Sequence, residues 1–224
     1  MAFDFKKKYK EFYIPKNKPE IVNVPKANYI AVRGKGNPNE EGGEYKAAIG
    51  LLYTIAFTLK MSKKAGHEIE GFFDYVVPPL EGFWWQEGID GVDFSRKEEF
   101  CWISVIRLPD FIKKKDFSWA TTEVQRKKKM DCSKVEFLTI DEGLCVQIMH
   151  IGAYDDEPES VTLMDAYIEN AGYENDFSVE VPRMEQIGVM TDNVRLHHEI
   201  YLSDARKVEP ARRKTVIRHP IKKK

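Results

Sequence analysis

Residues 144–173 read LCVQIMHIGAYDDEPESVTLMDAYIENAGY. The opening LCVQIMHIG is a short apolar run with β-branched residues, closed by a glycine, which predicts a strand. The acidic, proline-bearing AYDDEPES predicts a turn. In VTLMDAYIENAGY the apolar residues recur at helical spacing, and Gly172 stands where a left-handed cap would end a helix. The stretch therefore reads strand, turn, helix.

The same order occurs earlier. ANYIAVRGKGNPNE (residues 27–40) gives a strand over 29–33 and a Gly/Asn/Pro turn, and EYKAAIGLLYTIAFTLKM (residues 44–61) gives a helix. GFFDYVVPPLEGFWW and EEFCWISVIRLPD, rich in aromatic and β-branched residues, predict two further strands, separated by the turn-rich QEGIDGVDFSRK. A basic helix capped by Ser118 runs through WATTEVQRKKK, and NVRLHHEIYLSD is the final strand. Strand–turn–helix–strand thus appears over about 27–110 and again over about 135–204. Residues 1–25 read as a polar lead-in. A duplicated βαββ unit places its helices on one face of an antiparallel sheet and leaves the other face for a groove, an α+β fold. No Gly/Ser/Pro linker divides the halves, so residues 1–224 are expected to form a single domain.

The gross numbers exclude some functions. In 224 residues, 42% hydrophobic and 32% charged content is ordinary for a soluble chain, and a formal net charge of -1 provides no field for nucleic acid or a membrane surface. No apolar run approaches a membrane span, and the N-terminus lacks a signal-peptide core. Cys101, Cys132 and Cys145 form no CxxC pair, so reduced thiols in a cytoplasm are expected. GKGNPNEEGG lacks the residue order of a phosphate loop.

The final strand raises the functional question. Glutamate is a poor strand residue and costs free energy when buried without a partner, yet Glu199 lies between His198 and Ile200. Alternation puts Val194, Leu196, His198, Ile200 and Leu202 on one face, predicted to pack on helices. Arg195, His197, Glu199, Tyr201 and Ser203 share the other, which faces either water or the groove. Trp84, Trp85 and Trp102 lie close together in the first half, as core or as a binding wall. His197 and His198 are adjacent and face opposite ways, and HExxH spacing is absent, so neither a metal nor another cofactor is expected.

HHEIYLSDARKVEPARRKTVIRHPI resembles the closing motif of the GyrI-like small-molecule-binding family, in its stand-alone branch. VPKANYIAVRGKGNPN, DYVVPPLEGFWW, CWISVIRLPDF and GLCVQIMHIGAYDDEP are similar too, and Ala205 replaces the family's usual proline. The resemblance implies two fused βαββ modules and a pocket for flat, apolar, cationic or electrophilic small molecules, with Glu199 at its floor. It further implies hydrolysis of cyclopropane-bearing genotoxins, a detoxification activity of some solitary members. In that case Glu199 is the candidate base that activates water. Tyr201 is a candidate donor, Trp84, Trp102 and Tyr75 candidate stacking rings, and Met149 a soft wall. The alternative is a non-catalytic multidrug-binding or sequestering protein that serves a protein partner.

Overall fold

The computed structural model describes residues 2–89, 92–93, 95–177 and 195–224. Two short helices, α1 (Phe5–Lys8) and α2 (Lys10–Tyr13), precede strand β1 (Glu20–Val24). The first half follows: β2 (Ala27–Lys35), α3 (Glu44–Lys60), β3 (Leu80–Gln86) and β4 (Phe100–Leu108). Helix α4 (Lys114–Lys128) and strand β5 (Val135–Ile140) connect it to β6 (Gly143–Ile151), α5 (Glu157–Asn170), β7 (Tyr173–Asn175), β8 (His197–Tyr201) and β9 (Lys214–Lys223). Val194, assigned above to the last strand, lies outside the described residues.

One antiparallel sheet runs β1-β6-β9-β8-β3-β4-β2-β5, and β7 extends the end of β9. β2, β4 and β3 lie side by side, as β6, β9 and β8 do, and the two triplets join where β3 pairs with β8. Each triplet is strand–helix–strand–strand with its last strand in the middle. The α+β fold is therefore the expected one.

The sequence-based elements lack α1, α2, β5 and β7 and differ from the structure in four further places, each with a local cause. Pro78 and Pro79 have no N–H to give a ladder, so β3 begins at Leu80 rather than in the preceding FFDYVV. Helix α4 begins before Ser118 because the Asp116 carboxylate accepts the Lys113 backbone N–H at 2.9 Å. Ser118 sits inside the helix, and its hydroxyl donates to the Lys114 carbonyl. β1 extends the sheet from within the polar lead-in. β9, a basic tail by composition, is buried from Thr215 to Ile221 because Arg218 and His219 have partners there.

Directly opposed residues in an antiparallel ladder share a face. One row crosses the sheet as Ile148, Ile217, Glu199, Gly82, Ser104 and Val32. Helix α5 packs Met164 and Ile168 on Val146, Ile148 and Ile217, and α3 packs Leu52, Ile55 and Leu59 with Ile30, Val32, Trp102 and Ile106. Helices α3 and α5 thus both cover the Glu199 face. The reading that put them on the Leu196, His198 and Ile200 face, with a groove behind, is corrected by this register. Alternation distinguishes two faces but does not say which one the helices cover.

Gly34 has a packing reason. It opposes Trp102, and a Cβ built on it would lie 2.1 Å from the indole. Trp102 is fully buried and cannot retreat. Gly34→Ala should therefore destabilise the fold by about 1–3 kcal/mol, the usual cost of overpacking a core. Urea unfolding measures this, and a loss below about 0.5 kcal/mol would mean that the ring has somewhere to move.

Candidate active site

The candidate site lies where the halves meet, at the pairing of β3 with β8. β3 supplies Gly82 and Trp84, and β8 supplies His197, Glu199 and Tyr201. Helix α3 brings Tyr45 in its first turn, and the corresponding end of α5 brings Tyr154 and Glu157. Pro158 suits the first turn of α5, where its missing N–H costs no hydrogen bond.

Three ionisable side chains meet under these helix ends. His197 Nε2 lies 3.0 Å from Glu199 Oε1 and 3.9 Å from Glu157 Oε2. All three are buried, Glu157 completely. Among the described residues neither Glu157 oxygen meets a hydrogen-bond donor, and its neighbour is the Glu199 carboxylate. Burial, then the Glu199 charge, raises the Glu157 carboxyl well above the carboxylate range. Glu157 therefore holds a proton, for which Glu199 is the natural acceptor. Two carboxyl groups so placed repel as a pair of charges, so they share one negative charge. One ligand atom from each of the three lies within 4.8 Å of the others, a spacing a cation could bridge.

Aromatic groups enclose the pair. Trp84 Nε1 donates to the Tyr201 hydroxyl at 2.9 Å, which leaves the Tyr201 proton for Glu199 beside it. Burial, then the Glu199 charge, holds Tyr201 well above its ordinary value, so it remains a neutral donor. Gly82, opposite Glu199, makes room for this bond, because a Cβ there would lie 2.7 Å from Trp84 Nε1 and 3.0 Å from the Tyr201 hydroxyl. Tyr45 packs 5.3 Å from Trp84 and 5.1 Å from Trp102, and Tyr154 lies edge-on to Tyr201 at 5.8 Å. Burial raises both Tyr45 and Tyr154 above the usual phenol value. Tyr45, Tyr154 and Tyr201 are half-buried, on the solvent side of the carboxyl pair.

The GyrI-like small molecule binding domain matches residues 17–186. The chain belongs to this family. A hydrolase from Listeria innocua is 39% identical over 99% of this chain and 100% of its own, with a TM-score of 0.82. An uncharacterized conserved protein from Listeria innocua is 40% identical over the same shares, with a TM-score of 0.85. The EcmrR C-terminal domain, 14% identical over 92% of this chain and 98% of its own, has a TM-score of 0.51 and shares the fold. No curated protein matches. Among the described residues no helix is long and apolar enough to cross a membrane.

Within this GyrI-like domain the residues singled out in the sequence separate into groups. Glu199, Tyr201 and Trp84 come together. Trp102 shares their face but is fully buried beneath Tyr45. Tyr75 packs on Phe72 and Phe111 in a different part of the core. Met149 pairs with Val216, which opposes Ile200, so it lies on the other face of the sheet. Glu157, His219, Tyr45 and Tyr154 were not picked out. The aromatic beside each helix start, EY at 44–45 and YDDE at 154–157, was the available signal. A cleft of about 330 Å³ runs along α3 beside Met130, Asp131 and Lys134, and no residue of the Glu199 cluster lines it.

Proposed function

We propose that this GyrI-like protein is a stand-alone hydrolase of flat, electrophilic aromatic molecules, with cyclopropane-bearing genotoxins as the substrate class. The observation that supports it is the buried Glu157–Glu199 pair beneath Trp84, Tyr45, Tyr154 and Tyr201. The Listeria innocua hydrolase, similar over its whole length, supports the same reaction class.

In a spirocyclopropane conjugated to a dienone, water attacks the methylene carbon. One ring C–C bond breaks, and its electron pair flows through the conjugated system to the carbonyl oxygen, giving a phenolate. Glu199 takes the water proton as general base. Glu157, protonated, and His197 Nε2–H hold its oxygens in place. Tyr201 donates to the carboxylate or the water, and the tyrosine rings press the flat substrate against Trp84. Proximity and a pre-set base supply the rate.

A second reading follows from the same carboxylate. Glu199 can act as counter-charge to a flat cation in a drug-binding or sequestering protein. Excess cyclopropanoid incubated with sub-stoichiometric protein separates the two. Continued consumption supports the hydrolase, and a halt at one equivalent supports the binder. In either case Trp84→Ala should weaken binding of flat aromatics by about 1–3 kcal/mol, read by titration calorimetry. Unchanged affinity would remove Trp84 from the ligand wall.

A further inference from the structure

We infer that His219 is a positioning residue: its Nε2–H donates to His197 Nδ1 and fixes His197 in the tautomer whose Nε2–H holds Glu199. The contacts are short and lie in a line. His219 Nε2 is 2.7 Å from His197 Nδ1, and His197 Nε2 is 3.0 Å from Glu199 Oε1. A carboxylate only accepts, so the proton of a neutral His197 belongs on Nε2. Its Nδ1 is then an acceptor and needs a donor, which His219 Nε2 supplies. That leaves His219 Nδ1 as a bare lone pair. The structure agrees, for His219 Nδ1 is buried without a hydrogen-bond partner among the described residues. A buried N–H left unpaired would be the rarer and costlier case. Burial also holds His219 well below the usual histidine value, so it stays neutral.

The arrangement has a consequence for Glu199. With one oxygen occupied by His197, the other is left to Glu157, Tyr201 and the incoming water. Were His197 to carry its proton on Nδ1, the Nε2 lone pair would face the carboxylate and favour protonation of the base. The other ionisable groups around the histidine pair are Glu157 from α5, Tyr201 on β8, and Arg195, which pairs with Asp176 at 3.2 Å. None of these gives His197 Nδ1 a proton.

The test needs no substrate. Long-range ¹H–¹⁵N NMR of the full chain, with its five histidines, reports the tautomers directly. His197 and His219 should both carry the proton on Nε2. In His219→Gln, whose Nε2–H replaces the imidazole donor, His197 should keep its tautomer. In His219→Phe it should lose that preference. An Nδ1–H tautomer of His197 in the parent protein, or an unchanged tautomer in His219→Phe, overturns the inference whatever the protein does to substrates. A second arm rests on the reading of Glu199 as base. There the acid limb of kcat/KM should move to higher pH in His219→Phe, with a loss of about tenfold or more near neutrality, and return in His219→Gln. Correct tautomers with no turnover would sink the hydrolase reading and leave His219 as the positioning residue of a binding site.

Discussion

Replacing Glu199 by Gln is expected to lower turnover of a cyclopropanoid substrate by roughly 10²–10⁴-fold, the usual worth of a general base, while substrate binding survives. Gln keeps the size of Glu and one oxygen acceptor for His197 Nε2, so the cluster need not collapse. It cannot take a proton from water. Tyr201→Phe should cost less, because the hydroxyl acts beside the base and a water molecule can replace it in part. It should cost more than a surface change, because Trp84 Nε1 also loses its acceptor. Single-turnover kinetics separates the steps, with kcat falling in Glu199→Gln and the dissociation constant little changed. If Glu199→Gln instead abolishes binding of a cationic ligand, and the parent protein turns over no cyclopropanoid, the carboxylate is a receptor's counter-charge. Glu157→Gln tests the shared proton from the other side. Its amide can still donate to Glu199, so activity should fall less than in Glu199→Gln.

How much of this was legible in the sequence depended on periodicity and on partners. Helix α3 appears in the structure over Glu44–Lys60, within a residue of its sequence pattern, because Leu52, Ile55, Ala56 and Leu59 recur on one buried stripe. β4 and β6 were legible for the same reason, as runs of apolar residues. β9 was not, because its buried positions include Arg218 and His219, and a charged residue in a core strand reads as surface until its partner is known. That partner, Glu142, is 76 residues away in sequence. The site divides in the same way. Glu199, Tyr201 and Trp84 lie on alternating strands whose faces can be counted. Glu157, His219, Tyr45 and Tyr154 reach the site through helix–sheet packing and strand order, which no local pattern encodes. Tyr75 and Met149 looked equally suitable by residue type but are kept away by the proline-delayed start of β3 and by the register of β6 on β9.

The largest stability effect is expected on the opposite face of β8. There His198 lies between two buried carboxylates, with Nδ1 2.8 Å from Glu142 and Nε2 3.1 Å from Glu81. Both ring nitrogens meet an acceptor, so the ring is an imidazolium. Arg218 Nη1 donates to Glu142 at 2.9 Å, its other nitrogens reach Gln147 Oε1 and the Phe12 carbonyl, and Tyr13 donates to Glu81 at 3.2 Å. The network ties the N-terminal helices to the seam between the halves. Removing one member of a buried ion cluster leaves the others uncompensated, so Arg218→Met should destabilise the fold by about 3–5 kcal/mol in urea unfolding. Arg96→Met, at the half-exposed Glu99 pair, should cost far less. The pH dependence has a defined sign on each side. Burial would raise Glu142, but the His198 and Arg218 charges hold it at about 2 against an ordinary 4.5, so its contribution is present above pH 4.5 and is lost as pH falls toward 2. Burial would lower His198, but Glu142 and Glu81 raise it above 6.5, so its contribution is complete below that pH and fades as pH rises through the raised value. The network should therefore stabilise most between about pH 4.5 and 6.5, and Glu142→Gln should flatten the acid side of the profile. A loss below about 1 kcal/mol in Arg218→Met, the scale of a solvated pair, would show that water reaches these groups. Because the network and Glu199 occupy opposite faces of one strand, folded Arg218→Met should still take up and process ligand, whereas Glu199→Gln should leave the unfolding midpoint nearly unchanged.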